Sequence, residues 1–348
     1  MFTYVTSTLL MTIGIGTVVT CASWNWLLAW MGLEISSLAI LPFLAGSFDP
    51  RTSEAGVKYF LVQAAGAAVM LFASVTNALI AGQWHIDETS HILPVALATL
   101  ALALKMGLAP LHVWLPDAMN GFDLMTGVLV STWQKLAPLA MLLQISYTHS
   151  PLLIAIGLLS MLVGGWGGIN QTQLRKVLAY SSIAHLGWMI MVLQYSPALT
   201  LLALALYFIM TFSAFLVFKL TRALNIKSLA ISWTKNPTIT ALFPLLLLSL
   251  AGLPPLTGFV AKWLILQELS TQGLATYGMY AAYTTLFNLF YYVRLSMTFA
   301  HTKPPDNALG FTPWRTFSFE MTLPLAVSIV ATIFLVPLTP TITSMLSI

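Results

Sequence analysis

Long apolar segments follow one another along almost the whole chain, and this pattern constrains the fold more than any other feature. A transmembrane helix needs about 20 mostly apolar residues. The chain contains eleven segments of this kind, at roughly 2–20, 24–46, 57–82, 92–118, 124–147, 151–169, 174–195, 198–218, 238–267, 273–296 and 322–345. The sequence therefore predicts an all-α polytopic membrane protein with about eleven transmembrane helices.

The composition supports a membrane protein rather than a large soluble domain. Hydrophobic residues make up 58% of the 348-residue chain and charged residues only 7%, whereas soluble domains carry about 25% charged residues. So few charges could not cover the surface of a water-soluble fold. The N-terminal segment lacks the basic start of a signal peptide and the arginines of a transit peptide, so we interpret it as the first span.

Several classes of site are missing from the sequence. The single cysteine, Cys21, excludes an intramolecular disulfide and a cysteine metal cluster. The sequence contains no phosphate-binding loop, no paired-carboxylate or nucleophile motif and no histidine pair at metal-ligand spacing. It also lacks a basic stripe with interleaved aromatic residues. We therefore predict no metal or cofactor site in this chain and no nucleic-acid partner.

The basic residues of the loops all fall on one side of the membrane if the spans alternate strictly. Loops after even-numbered spans share the side of the N-terminus, and they contain Arg51, Lys58, Arg175, Lys176, Lys219, Arg222, Lys227, Lys235, Arg294, Lys303 and Arg315. The opposite side has no Lys or Arg and carries Asp87, Glu88 and Glu268. Because basic loops stay on the cytoplasm-like side, we expect the N-terminus there and the C-terminus on the opposite side.

Four ionisable residues lie inside the predicted spans: Glu34, Lys105, Lys135 and Lys262. A charge at the centre of a membrane helix costs roughly 2.5–3.5 kcal/mol on insertion scales, so four unpaired charges would cost on the order of 10 kcal/mol. Such groups persist only when they face the bundle interior, a partner or water. One interpretation is structural, with a buried Glu34–Lys105 ion pair and with Lys262 extending its ammonium group toward the membrane surface.

A proton relay is the second interpretation of these groups. One carboxylate cannot neutralise three lysines, and burial and neighbouring charges both change the proton affinity of a lysine. Lysines of this kind are natural relay sites. His112 and His185 also lie within spans, and histidine changes charge near neutral pH. Each of these two histidines is therefore either a relay residue or a hydrogen-bonded core residue.

Two matching motifs predict discontinuous helices. "GLAPL" at 107–111 lies in the fourth span and "GLPPL" at 252–256 lies in the ninth, each near a membrane lysine. Proline removes a backbone donor and clashes with the preceding turn. Unwound backbone at membrane depth is tolerated only inside protein or beside a water-filled cavity. We therefore expect both breaks to lie in the interior of the bundle.

A further match indicates an internal repeat within a single membrane domain, 1–348. "YF" occurs at 59–60 and at 207–208, before the first and second break respectively. The pattern predicts two five-helix repeats, 1–147 and 151–296, followed by a loop and a terminal transmembrane helix in 297–348. Because five is odd, the second repeat would be inverted relative to the first, an arrangement typical of secondary transporters.

Five motifs together resemble a known family. "WMGLEISSLAILP", "ALKMGLAPLHVWLPD", "TWQKLAP", "RKVLAYSSIAHLGWM" and "LAGLPPLTGFVAKW" occur in the order found in the antiporter-like membrane-arm subunits of mitochondrial NADH:ubiquinone oxidoreductase, respiratory complex I. They are similar more widely to Mrp-type cation/proton antiporters. The resemblance implies relay roles for Glu34, Lys105, Lys135 and Lys262, and less securely for His112 and His185. Bacterial relatives have fourteen spans, and the eleven counted here resemble the shortened form of animals.

The resemblance also implies a function. We expect a subunit of the H⁺-translocating NADH:ubiquinone reductase that moves protons from the mitochondrial matrix to the intermembrane space, with its N-terminus on the matrix side of the inner membrane. NADH, FMN, iron–sulfur clusters and ubiquinone would be bound by other subunits. Its partners would be a neighbouring antiporter-like subunit, small membrane subunits and lipids such as cardiolipin. The alternatives are a free-standing cation/proton antiporter and a scaffold subunit whose buried charges are purely structural.

Overall fold

The described residues of the computed structural model are almost entirely helical. They comprise 2–44, 49–87, 91–145, 150–230, 232, 237–301 and 322–346. The helices are α1 Phe2–Ala22, α2 Trp26–Leu44, α3 Pro50–Ala81, α4 Ile92–Met106, α5 Trp114–Gly121, α6 Leu124–Ser131, α7 Trp133–Gln144, α8 Ser150–Gly168, α9 Leu174–Val192, α10 Pro197–Thr221, α11 Ile226–Ala230, α12 Pro237–Ala251, α13 Thr257–Thr271, α14 Ala275–His301, α15 Thr322–Phe334 and α16 Thr339–Leu346. Within these ranges the only β-structure is two isolated bridges.

The all-α polytopic fold is confirmed, because each of the eleven predicted spans corresponds to one helix or to one interrupted pair of helices. Five helices are individually long and apolar enough to cross a membrane: Tyr4–Ala22, Trp26–Leu44, Pro50–Ala81, Pro151–Gly168 and Pro197–Thr221. The interrupted spans are α4 with α5, α6 with α7, α12 with α13, and α15 with α16.

Two of these four interruptions were predicted and two were not. The breaks at "GLAPL" and "GLPPL" separate α4 from α5 and α12 from α13. The interruption at Thr132, between α6 and α7, has no proline or glycine at the break itself. The last span bends by 70° before the 3₁₀ turn Val336–Leu338. This turn contains Pro337, so the span predicted as continuous over 322–345 is interrupted.

The chain divides into two compact units, Met1–Ile156 and Gly157–Ile348. In unit 1, α2 packs against α1 and α3, α3 packs against both halves of the first broken span, and α7 contacts α1, α2 and α4. The α1–α2 crossing is close, because a Cβ atom on Gly16 would lie 2.9 Å from the carbonyl oxygen of Gly32. Small residues permit this approach of two helices within a membrane.

In unit 2, α10 has the position that α3 has in unit 1. It packs against both halves of the second broken span, α12 and α13, and also against α9 and α15. Each helix that carries a "YF" motif therefore supports both halves of the broken span that follows it. The five-helix repeat and its inversion remain predictions.

Loop contacts within unit 1 agree with the predicted alternation of spans. The loops after the first and third spans pair, since the N–H of Trp26 donates to the carbonyl of Trp84 and the N–H of Ile86 to that of Trp24, both at 3.1 Å. At the other end, the loops that follow the second and fourth spans come together around a pocket lined by Arg51, Glu54, Ala55, Lys58, Asp117, Asn120 and Gly121. Loops predicted to share a side thus share an end.

Unit 2 gathers its basic loops at one end. The N–H of Leu174 donates to the carbonyl of Leu224 at 3.1 Å, which joins the loops after the sixth and eighth spans. The guanidinium of Arg294 donates to the carbonyl of Ile169 at 2.9 Å and adds the end of the tenth span. Among the charges used to predict orientation, Glu88, Lys235, Lys303 and Arg315 lie outside the described residues.

Candidate functional site

The first helix break is organised by Gly107. This residue has a φ of 78°, in the left-handed region that glycine adopts without steric cost. Its N–H donates to the carbonyl of Leu104 at 3.1 Å, and the N–H of Leu108 donates to that of Ala103 at 2.9 Å. These bonds close the last turn of α4 in the pattern of a glycine C-cap. The backbone then runs irregularly to α5.

Two side chains donate hydrogen bonds to carbonyl groups at the end of α4. The indole Nε1 of Trp114, from the first turn of α5, donates to the carbonyl of Leu104 at 3.0 Å. The amide Nε2 of Gln63, from α3, donates to the carbonyl of Lys105 at 3.2 Å. An unpaired buried carbonyl costs about 1–3 kcal/mol. The break is therefore stabilised by two residues that the "GLAPL" motif does not identify.

Lys105 lies in the interior of unit 1, one turn before the break. Its side chain is 6% exposed, and its ammonium nitrogen Nζ has no hydrogen-bond partner within the part of the chain that the structure describes. Gly66 on α3 borders the stem of this lysine, since a Cβ atom there would lie 3.0 Å from Lys105 Cγ. The structure thus encloses an ionisable group without neutralising it through direct contact.

Glu34 is half-buried on α2 and does not form the direct ion pair with Lys105 that we considered from the sequence. Among the described residues no oxygen of Glu34 lies within 4.0 Å of the Lys105 ammonium. The carboxylate instead accepts a hydrogen bond from the hydroxyl of Ser37, one turn further along α2, at 3.1 Å. The hydrogen bond to Ser37 keeps the carboxylate on its own helix.

Tyr59, the tyrosine of the first "YF" motif, also lies near this break, which its place in the repeat alone does not indicate. Its side chain is 1% exposed, and its hydroxyl has no hydrogen-bond partner among the described residues. The ring contacts Trp114 and Phe122 edge-on, with centroid distances of 5.8 and 6.3 Å. The occurrence of "YF" before both breaks is the signal that could have identified it.

Lys135 is even more enclosed than Lys105, with 2% of its surface exposed. It lies in the first turn of α7, just after the interruption at Thr132, and its N–H donates to the Thr132 carbonyl at 3.1 Å. The neighbouring Gln134 donates from Nε2 to the carbonyl of Ser36 at 2.8 Å, which ties α7 to the helix that carries Glu34. Glu34, Lys105 and Lys135 thus lie on α2, α4 and α7, three helices of one unit that pack together.

At the second break the lysine, Lys262, donates a hydrogen bond to the backbone, whereas the Lys105 ammonium at the first break donates none within the described residues. Gly252 ends α12 with a φ of 82°, and its N–H donates to the carbonyl of Ser249 at 3.0 Å. The ammonium of Lys262, from α13, donates to the carbonyl of Ala251 at 2.7 Å. The lysine of this break follows it and satisfies a freed carbonyl, whereas Lys105 precedes its break and leaves that task to Gln63. Lys262 is half-buried rather than enclosed.

Two family models together match almost the whole chain. One, described as "NADH:quinone oxidoreductase/Mrp antiporter, TM", matches residues 23–288, and another, described as "NADH dehydrogenase subunit 2 C-terminus", matches residues 289–343. The chain is also 56% identical to the protein named NADH-ubiquinone oxidoreductase chain 2 of Salmo salar over 346 residues, which is 99% of each chain. The chain belongs to the NADH-ubiquinone oxidoreductase chain 2 family. The protein of the same name from Oncorhynchus mykiss is 55% identical over the same share of both chains.

Solved structures agree with this chain 2 family membership. A chain in the respiratory complex I from Thermus thermophilus with bound aureothin superposes with a TM-score of 0.78 and 27% identity, covering 94% of this chain and 78% of that chain. A chain of the Mrp complex from Dietzia sp. superposes with a TM-score of 0.81 over 96% of this chain and 75% of that one. At 16% identity the second likeness shows the fold alone. The resemblance inferred from the motifs is confirmed.

The two histidines occupy different surroundings within this chain 2 fold. His112 is half-buried in the first break, and its Nδ1 lies 3.2 Å from the carbonyl oxygen of Pro110, two residues earlier in the same turn. His185 is half-buried in the middle of α9, and its ring centroid lies 5.6 Å from that of Tyr207. Tyr207 is the tyrosine of the second "YF" motif and is fully buried. A relay role for either histidine remains a prediction.

The residues of the chain do not fit an iron–sulfur cluster. An iron–sulfur cluster is held mainly by several cysteine thiolates, and this sequence has one cysteine. Among the described residues, no group of three His, Cys, Asp or Glu side chains is arranged to hold a metal ion. The site that the structure does present is a set of buried ionisable and hydroxyl groups beside two helix breaks.

The hydrogen bond from Trp114 to the first break generates a direct prediction. Trp114→Phe keeps an aromatic ring but removes the donor to the Leu104 carbonyl, at a cost of about 1 kcal/mol. The amides of Gly107 and Leu108 should then exchange roughly fivefold faster with deuterium, since local opening becomes easier by that free energy. Trp24→Phe serves as the control, because Trp24 is 76% exposed in a loop. Equal exchange in both variants would show that the indole does not stabilise the break.

Proposed function

We propose that this chain is an antiporter-like, proton-translocating subunit in the membrane arm of respiratory complex I, and that Glu34, Lys105, Lys135 and Lys262 carry its protons. The observation that carries the proposal is the ammonium of Lys105, enclosed beside a helix break without a hydrogen-bond partner among the described residues. A purely structural lysine at this depth would be expected to have such a partner, since an unsatisfied buried charge is costly.

The geometry supports a specific sequence of events. Glu34 favours the charged form of Lys105 through space, without binding it directly. When electron transfer elsewhere in the complex weakens this influence, Lys105 releases its proton toward Lys135, on the packed helix α7. Lys262 is the corresponding lysine of unit 2. Release of its proton would weaken the hydrogen bond that its ammonium donates to the Ala251 carbonyl. His112 and His185 are candidate participants.

The surroundings of the subunit follow from the same proposal. NADH, FMN, iron–sulfur clusters and ubiquinone would be bound by other subunits, and this chain would contribute proton transfer. Its partners would be a neighbouring antiporter-like subunit, small membrane subunits and lipids such as cardiolipin. The protein would lie in the mitochondrial inner membrane with its N-terminus and basic loops facing the matrix, and its C-terminus facing the intermembrane space.

Two rival functions make different predictions. A free-standing cation/proton antiporter would be isolated without flavin-containing and iron–sulfur subunits, whereas the proposed subunit should co-purify with them at fixed stoichiometry. A scaffold subunit would assemble into the complex but would not need its buried lysines for proton transfer. Identity of 56% over full length with a protein named chain 2 favours the complex I subunit.

Lys135→Met provides the test of the relay. Methionine retains an apolar side chain of similar length at this enclosed position and removes the proton-binding group. In the assembled complex we expect roughly tenfold slower coupled NADH:ubiquinone turnover, or a lower proton-to-electron ratio, since a positioned acid–base group contributes a factor of at least about ten to proton transfer. The measurement is proton uptake and NADH oxidation in sealed inner-membrane vesicles.

Lys227→Met is the matched control for this variant, because Lys227 is exposed on the short helix α11. It should leave both quantities unchanged. If the Lys135→Met complex assembles and retains normal turnover and a normal proton-to-electron ratio, the buried lysine is structural and the scaffold interpretation is correct.

The orientation is tested by labelling engineered cysteines. In a Cys21→Ser background, Asp87→Cys and Lys227→Cys place single thiols in the acidic and basic loops. A membrane-impermeant maleimide added to mitoplasts should label the cysteine at position 87 directly and the cysteine at 227 only after the membrane is permeabilised, because basic loops remain on the matrix side. The reverse pattern would invert the proposed topology.

A further inference from the structure

The face of α3 that packs against α4 carries the hydroxyl of Tyr59, which has no role in the proposed proton relay so far. Tyr59, Gln63 and Gly66 are spaced by four and three residues, so they lie on one face of the helix. Gln63 donates to the Lys105 carbonyl, and Gly66 borders the Lys105 side chain. Tyr59 thus lies one turn from Gln63 and about two turns from Gly66 on this face.

The same stretch of α3 also faces Glu34. The indole of Trp30 on α2 donates to the carbonyl of Ala67 on α3 at 3.0 Å, and Glu34 follows Trp30 by one turn on the same face. Consecutive spans run in opposite directions, so Glu34 lies opposite the part of α3 that precedes Ala67, where Gln63 and Tyr59 are found.

Packing explains the ring of Tyr59 but not its hydroxyl. The ring is held by edge contacts with Trp114 and Phe122, and a phenylalanine would make these contacts equally well. A buried hydroxyl without a partner costs about 1–3 kcal/mol. Tyr59 Oη and Lys105 Nζ are two buried polar atoms of unit 1 that lack a hydrogen-bond partner among the described residues.

We propose that Tyr59 is a further relay residue, whose hydroxyl passes a proton between Lys105 and Glu34. The inference rests on the proposed function, which requires Lys105 to change its protonation state. A phenol both donates and accepts a hydrogen bond. In the step, which reloads Lys105 after it has released its proton toward Lys135, a protonated Glu34 gives its proton to Tyr59 Oη while Oη gives its own proton to the neutral Lys105 amine. The products are a carboxylate, an unchanged phenol and an ammonium group, so protons and charge balance.

The Tyr59 hydroxyl would provide a route for the proton between Glu34 and Lys105, whose charged groups are not in direct contact. The carboxylate oxygens of Glu34 lie more than 4.0 Å from the ammonium nitrogen of Lys105, which is too far for a hydrogen bond. Water that satisfies the unpaired groups can complete the hydrogen bonds on either side of the phenol. The neutral phenol adds no further charge at membrane depth, which makes it a less costly intermediate than another ionised residue.

The test is Tyr59→Phe in the assembled complex, with Tyr291→Phe as the matched control. Both changes remove one hydroxyl from a fully buried ring, but the hydroxyl of Tyr291 has a partner, Asn288, at 3.4 Å. We expect Tyr59→Phe to assemble normally and to slow coupled turnover roughly threefold or more, with a changed solvent deuterium isotope effect. Tyr291→Phe should retain normal values of both quantities.

Three outcomes would overturn the proposal. Normal turnover in Tyr59→Phe, with a loss in Lys135→Met, rejects the role of Tyr59 and leaves the proposed function intact; normal values in both variants reject both. An equal loss in Tyr291→Phe shows a general cost of losing a buried hydroxyl.

Tyr59→His keeps a group that donates and accepts a hydrogen bond, so it should retain at least half of the turnover. This variant tests the role of Tyr59 if the Tyr59→Phe complex does not assemble. A loss in Tyr59→His as large as that in Lys135→Met also rejects the proposal.

Discussion

The structure depends on one constraint, the cost of leaving a polar backbone group or a charge without a partner at membrane depth. An uninterrupted helix meets this constraint by itself, since all of its backbone bonds are internal. The two broken spans do not, and each requires donors from elsewhere. At the first break the donors are Trp114 and Gln63, and at the second the donor is Lys262. Each of these side chains donates to a backbone carbonyl beside a break, and the carbonyl of Leu104 also accepts from the N–H of Gly107.

The different ways in which the breaks are satisfied separate the lysines by function. Lys262 contributes to the architecture of its break, so a change in its hydrogen bonding would alter the backbone around Gly252. At the first break Gln63 donates to the backbone instead, and the ammonium of Lys105 has no hydrogen-bond partner among the described residues. The absence of a direct ion pair matters here, because a carboxylate at contact distance would hold the proton on the lysine. A carboxylate at longer range favours the protonated lysine but still allows it to release its proton.

Much of this arrangement was predictable from sequence because it rests on local composition. Eleven apolar segments, the one-sided distribution of Lys and Arg, and the two Gly-Leu-x-Pro-Leu motifs are each visible without knowledge of packing. The depth of Lys105 and Lys135 followed from their positions within apolar runs, and both are buried. The helix breaks at Gly107 and Gly252 followed from the chemistry of proline and glycine.

The remaining features depend on contacts between distant segments and could not be predicted in this way. Gln63 lies 42 residues from the carbonyl that it satisfies. The interruption at Thr132 has no local proline or glycine. Tyr59 reads as an ordinary aromatic residue until α3 is packed against α2 and α4. The Glu34–Lys105 ion pair was plausible by charge alone, and it fails because helix spacing determines the distance.

The central claim is that Lys105 and Lys135 exchange protons through a hydrated interior. A cryo-EM map of the intact complex, at a resolution that shows ordered water, tests it most directly. We expect water molecules within hydrogen-bond distance of the Lys105 ammonium and a continuous chain of ordered water from there to Lys135. A dry apolar seal between the two lysines, with the Lys105 ammonium bound directly by a carboxylate, would contradict it.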